Sequence, residues 1–289
     1  MSSLPSSRPK SSQLTLSSGE AQNCGIMLAI SQDNVERFKE FPLDVIVSQY
    51  FDHDMNILNY CVDKQKTRIV QYLAAVLTDA QKYDLACHTF EGMNVCHQVV
   101  SLGNLKLIQI IVEDFKANMN QCTEAGMSVM HYAAQNYCGY LSLLALHSYQ
   151  ETHGFRFAVN RRSATKATPL HYAVLCMEQK NVELLIKYKA DVNAQDQNGR
   201  TPLIFAAMKL CQSVFEAKQD DSLFDDEEMD LVVEETFLQF KAIMKELLFS
   251  GADRTLTADD GVTAWRTIEN NEKLFTVAQY KSLQILLQK

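Results

Sequence analysis

Thr168-Pro169-Leu170-His171-Tyr172-Ala173 is followed 33 residues later by Thr201-Pro202-Leu203-Ile204-Phe205-Ala206. Between them lie Asn181-Val182-Glu183-Leu184-Leu185, and then Ala190-Asp191-Val192-Asn193. Thr ahead of Pro marks a helix start, because the hydroxyl accepts from free backbone N–H groups and Pro at the first helical position gives up a donor that would go unpaired anyway. Working outward from this pair, equivalent stretches begin at Asn56, Asn94, Ser128 and Thr263, so that successive starts are 38, 34, 40, 33 and 62 residues apart. Asn56, Asn94 and Ser128 can cap a helix as Thr does.

A period of about 33 residues with this motif resembles the ankyrin repeat. The resemblance covers nearly everything after residue 20 and is sharpest over 165–210. A stretch from Leu28 to Asp44 reads as a degraded first unit, which makes about seven. The fold expected is an all-α ankyrin-repeat solenoid of helix-turn-helix units over 21–289, preceded by a disordered Ser-rich tail over 1–20. Gly92, Gly126, Gly199 and Gly261 stand two places before their caps and supply the positive φ of a tight turn. Lys166 and Asp54 replace Gly in the other units, so those turns are expected to be looser or differently shaped. The second helices carry apolar stripes, such as Leu105, Ile108, Ile111 and Val112, that are buried only by stacking on neighbours.

The 62-residue interval holds an insertion at about 212–240. From Glu216 to Glu235 ten acids face one base, Lys218, a balance of -9 within a chain whose net charge is -8. Met229, Val233, Phe237, Phe240, Met244 and Leu247 keep helical spacing straight through it. The pattern predicts one continuous helix over 227–249, starting near Asp225 or Asp226, where acids suit the positive helix end. The preceding helix is expected to run on through Leu210, Val214 and Phe215, and the two to project as an acidic hairpin with its tip near Asp220 to Asp226.

The acidic balance is the wrong sign for holding nucleic acid through its phosphates. No stretch approaches 18 uninterrupted apolar residues, so no membrane insertion is expected of this chain. The N-terminus has no apolar leader core, residue 2 is Ser, which does not accept myristate, and the C-terminus carries no prenylation box. The eight cysteines contain no Cys-x-x-Cys pair, and the reading is of core thiols in a reducing compartment, hence a cytoplasmic protein. His97, His131 and His171 recur at one repeat position, where the resemblance implies that the imidazole ties the turn to the helix start. Cys87-His88 and Cys96-His97 could offer zinc ligands, but Cys96 and His97 fall on motif positions, so no metal or cofactor is expected. There is no phosphate-binding Gly-rich loop. Catalysis is accordingly not expected.

Met55, Met93 and Met127 each precede a cap and could form an adaptable apolar strip on the concave side, which Ala167, Arg200 and Val262 interrupt downstream. Arg161, Arg162, Lys166 and Arg200 put four positive charges on adjacent turns, for which an acidic peptide is the natural partner. The resemblance implies a recognition scaffold that grips a protein or peptide by its turn tips and concave helix face. The contact positions expected are Met93, Glu124, Met127, Gln135, Asn136, Lys166, Gln197, Arg200 and Lys209. Gly126 to Gln135, Thr168 to His171 and Gly251 to Arg254 are also similar to the N-terminal array of ankyrin-type protein S-acyltransferases. That array recruits substrates for a membrane domain with an Asp-His-His-Cys motif, and both domain and motif are missing here.

Overall fold

A computed structural model describes residues 18–153, 157–219 and 226–288. The expected disordered tail thus lies outside the described residues up to position 17, and the expected hairpin tip lies outside them from 220 to 225. Along the chain run α1 (Ser18–Ser31), α2 (Val35–Phe38), α3 (Leu43–Ser48), α4 (Ile57–Asp63), α5 (Thr67–Val76) and α6 (Asp79–Cys87). Then come the pairs α7 (Val95–Leu102) with α8 (Leu105–Glu113), α9 (Val129–Gln135) with α10 (Gly139–His153), and α11 (Pro169–Leu175) with α12 (Gln179–Lys187). The last pairs are α13 (Pro202–Gln219) with α14 (Asp226–Phe249), and α15 (Ala264–Glu269) with α16 (Val277–Gln288). Among the described residues the strands are two short antiparallel ribbons, β1 (Tyr50–Phe51) with β2 (Met55–Asn56), and β3 (Thr89–Phe90) with β4 (Met93–Asn94).

The packing is that of a two-layer solenoid. The inner helices α4, α7, α9, α11, α13 and α15 touch in that order, as do the outer helices α5, α8, α10, α12, α14 and α16. Each helix buries one stripe: Leu107, Ile108 and Ile111 of α8, and Val182 and Leu185 of α12, are fully inaccessible. The degraded first unit is α1 packed on α2, which in turn meets α5, with Ile26, Ala29, Ile30 and Phe38 buried between them. Leu28 of that stretch points outward instead, and α6 fills the longer 38-residue interval as an extra helix held to α4 and α7.

The inner helices start as their residues dictate. Asn56 Oδ1 accepts the Asn59 N–H at 2.9 Å, Asn94 Oδ1 those of Cys96 and His97, and Thr263 Oγ1 that of Arg266 at 3.1 Å. The last four starts follow turns closed by a bond from Thr123 N–H to Met127 C=O, Ser163 to Ala167, Asp196 to Arg200 and Ala258 to Val262, all 2.9–3.0 Å. A second set stitches turn to turn, from Ala164 N–H to Ala125 C=O, Gln197 to Thr165 and Asp259 to Asn198 at 2.8–2.9 Å. The expectation that Lys166 and Asp54 make different turns is overturned. Both adopt the left-handed backbone of the glycines they replace, with φ of 58° and 59° beside 71° at Gly126 and 72° at Gly199. The ladder of bonds from neighbouring turns holds Lys166 there against a cost of about 1 kcal/mol.

The insertion is helical throughout its described part. α14 is one 24-residue helix without a break near 236, about 36 Å long at 1.5 Å per residue. α13 runs on to Gln219, with Leu210, Cys211 and Val214 buried. One flank of the extension is braced by the last unit: the Phe237 and Phe275 ring centroids lie 6.4 Å apart, Gln279 Nε2 donates to Glu234 Oε2 at 2.6 Å, and Lys218 Nζ to the Leu274 carbonyl at 2.7 Å. The other flank, towards α12, is open.

Glycine is required at Gly126 on two counts, since φ is +71° and a Cβ would stand 2.9 Å from Ala164 N. Gly126→Ala is expected to cost about 2 kcal/mol, whereas Lys166→Gly, which relieves strain at the equivalent turn, raises stability by about 0.5 kcal/mol. Thermal unfolding of the two variants beside the wild type checks the opposite signs.

Candidate partner-binding surface

The three periodic histidines are buried and structural in their contacts. His131 Nδ1 accepts the Ser128 N–H at 3.1 Å and lies 2.9 Å from Ser128 Oγ, while Nε2 stands 3.2 Å from the Ala167 carbonyl of the next unit. His171 repeats this with Thr168 (3.1 and 2.9 Å) and with the Arg200 carbonyl at 3.0 Å. An Nδ1 that accepts from a backbone N–H leaves the ring proton on Nε2, which then donates across the unit boundary. The serine–imidazole proximity therefore serves a helix cap. Each ring also meets an aromatic residue of the following inner helix: His97 with Tyr132 at 5.1 Å, His131 with Tyr172 at 5.4 Å and His171 with Phe205 at 5.2 Å. Burial pushes all three imidazoles below their usual range, His131 to about 4.

The cysteine–histidine pairs are occupied in other ways. His88 Nε2 lies 2.8 Å from the Asp54 carbonyl, and Cys96 is buried with its thiol pushed up to about 12 by desolvation. All eight cysteines are free thiols. No described helix is long and apolar enough to cross a membrane.

The expected contact positions divide. Glu124, Lys166 and Gln197 are exposed at the turn tips, Met93 and Met127 are half-buried immediately before their helix caps, and Gln135 is half-buried at the last position of α9. Met55 does not belong to that strip: it is 4% exposed and part of the core, so the methionine row shortens to two. Asn136 sits at the far end of its helix, where its Oδ1 takes the Cys138 N–H at 3.0 Å and its carbonyl takes Asn181 Nδ2. It shapes the α9–α10 corner and lies away from the tips.

Two of the four turn cations are committed to the fold. Arg200 Nε and Nη2 donate to Asp196 Oδ2 at 3.0 and 2.7 Å, and its guanidinium lies 4.7 Å from the Phe205 ring centroid. Burial works to raise the Asp196 carboxyl, but Arg200 and two backbone N–H groups overcome it and hold it below the usual carboxylate range. Arg162 donates to the carbonyls of Lys166 and Gln195. Among the described residues Arg161 and Lys166 show no side-chain hydrogen bond or ion pair and are exposed.

Arg200 separates two adjoining grooves on the concave side. One, of about 490 Å³, runs between the tip of Asn198 and Asp259–Asp260 and the α13 residues Ile204 and Met208. The other, of about 170 Å³, is lined by Thr165, Tyr172, Gln197 and Phe205. Lys209, next to Met208 but turned by 100°, lies outside both. Sequence reasoning missed Asn198, Met208, Asp259 and Asp260. The tip residues were findable, since 198 and 259–260 hold the same register as Gln197, and Met208 follows Ile204 by one helical turn.

Residues 143–217 match the family model described as ankyrin repeats (3 copies). The matched segment begins in α10 and ends near the close of α13, where the extended hairpin departs from the repeat. No curated protein matches the chain.

The buried imidazoles predict a pH dependence with a definite sign. A histidine whose folded pKa lies below its unfolded value stabilises fully above about 6.5 and loses that contribution as pH falls towards 4, at up to about 1.4 kcal/mol per unit. His131→Gln is expected to cost about 2–3 kcal/mol at pH 7 and clearly less at pH 5. Urea unfolding midpoints of both proteins at the two pH values check that the gap narrows on acidification.

Proposed function

We propose that this chain is a non-catalytic scaffold of a reducing compartment, holding a protein partner against its turn tips and concave face. The observation that supports this best is the pair of grooves meeting at Arg200, one within the ankyrin-matched segment and one at its end. Their walls are mixed apolar and polar, with Met208 and Phe205 offering contact area and Asn198, Gln197 and Asp259 offering directional hydrogen bonds. Because Asp196 clamps Arg200, the ridge between the grooves is preorganised, and a partner spends little ordering free energy on it.

The charge along this face changes sign. Lys166 and Arg161 lie on one side of the ridge, Asp259 and Asp260 on the other. A segment carrying acid at one end and base at the other fits better than a uniformly acidic peptide. Met93, Glu124, Met127 and Gln135 continue the surface towards the first units. A protein is the natural partner for a chain of net charge -8, and eight unpaired thiols suit a reducing compartment.

The reading is tested by capture on the immobilised full chain. With Met208→Glu/Gln197→Glu, both on accessible positions of the grooves, recovery of specific protein partners is expected to fall by about tenfold relative to wild type, as when a hot-spot contact is lost. Identical captured sets from the two proteins would remove the concave face from consideration.

A further inference from the structure

A second surface lies on the outer side of the solenoid, and it exists because α14 is too long for its place in the repeat. Aligning Ala252-Asp253 with Ala190-Asp191 sets the start of α12, Gln179, opposite Lys241, so α14 begins about 15 residues before its counterpart and overhangs it by about 22 Å. The overhang makes a step. Its floor is the pair of corners that join inner to outer helices in the two preceding units, and its wall is the α12-facing side of α14. The space enclosed is about 690 Å³, and it shares no residue with the concave pair.

The floor is apolar and open to solvent. Tyr137 is 86% exposed, Leu141 45% and Met177 37%, with Tyr140 and Cys138 beside them. Single exposed apolar side chains are ordinary on any surface, whereas a contiguous set lining one groove marks a contact site. Met177 is held at φ 58°, the left-handed position that Gly103 fills in an earlier unit, so a bulky apolar residue stands at the corner at a cost in backbone strain. On the wall, Gln239 lines the groove, and the exposed Val232, seven residues earlier on the same helix face, carries the apolar surface upward.

The rim is acidic. Glu178 and Glu183 lie in the groove against the single base Lys180, and Glu235 accepts from Gln239 Nε2 at 3.2 Å on the wall. The wall helix belongs to the segment whose ten acids face one base. An apolar trough with such a border is complementary to an amphipathic segment that has a leucine-type face and lysine or arginine flanks.

We propose that this step is a docking site for a basic amphipathic helix of about 15 residues from a partner protein, separate from the concave face. Cys138, exposed on the floor, supplies the readout, and Cys24, exposed on α1, the internal control. The probes are a synthetic leucine–lysine helix of about 15 residues and a leucine–glutamate helix with the same apolar pattern, each added to the full chain during iodoacetamide alkylation followed by peptide mass spectrometry. Saturating leucine–lysine helix is expected to slow alkylation of Cys138 by at least about fivefold and to leave Cys24 unchanged. The leucine–glutamate helix is expected to have no effect. Tyr137→Ser/Leu141→Ser and, independently, Glu183→Lys/Glu235→Lys each weaken the protection by about tenfold, all four positions being at the surface. Unaltered Cys138 reactivity, equal protection by the acidic helix, or protection that rises with protein concentration in the absence of peptide, which would mean a second copy in the groove, would each overturn the proposal.

Discussion

The middle of the array is tied by one bond made twice, the one that leaves an imidazole for the carbonyl of the next unit. A helix pair of this size buries too little to fold by itself, so its stability is created at the boundary with its neighbours. At that boundary His131 and His171 tie the start of their own helix through Nδ1 and the following turn through Nε2. The distance between units is thereby set by the width of a five-membered ring. Tyr132, Tyr172 and Phe205 close over the rings from the far side, so each boundary is polar at its end and aromatic just behind it. At these same two boundaries Ala164 and Gln197 stitch their turns to the carbonyl of the previous tip, and at the next, where Ile204 stands in the histidine position, Asp259 makes the stitch without an imidazole.

Much of this was legible in the residues because repetition makes a local signal into a global one. Thr168-Pro169 and Thr201-Pro202 fix helix starts chemically, and a period then fixes which helices are neighbours. The long helix over 226–249 was legible for a different reason: Val233, Phe237, Phe240, Met244 and Leu247 are all buried on one face, and a stripe of that length has no other way to be satisfied. What failed were judgements about single side chains. Lys166 bends as glycine does because bonds from flanking turns outweigh its own preference, and no local reading includes those bonds; Asp54 takes the same left-handed backbone. Met55 sits inside and Met93 only partly so, although both precede a cap and each pairs with a phenylalanine of its own ribbon. Of the candidate surface, the tips were readable from register. The grooves were not, since they arise where two units meet.

The two faces of the solenoid differ in how they are built. The concave face is made of repeat positions and of a ridge fastened by Asp196, and its character is fixed wherever the period is kept. The outer step is made by a departure from the period, with a wall supplied by surplus helix and a floor supplied by ordinary corners carrying unusual residues such as Tyr137 and Met177. The two surfaces share no residue, so contacts made on one leave the other free.

The brace between α16 and the surplus length of α14 has a mechanical consequence. In a stack where each brick touches only those beside it, the end bricks are the first to fray. Here the last one leans on a helix that reaches past its own brick, through Gln279 to Glu234 and Phe275 to Phe237, and so is gripped twice. Among the described residues α1 and the single turn of α2 show no such second hold, so of these two units the one at α1 is the first to unzip.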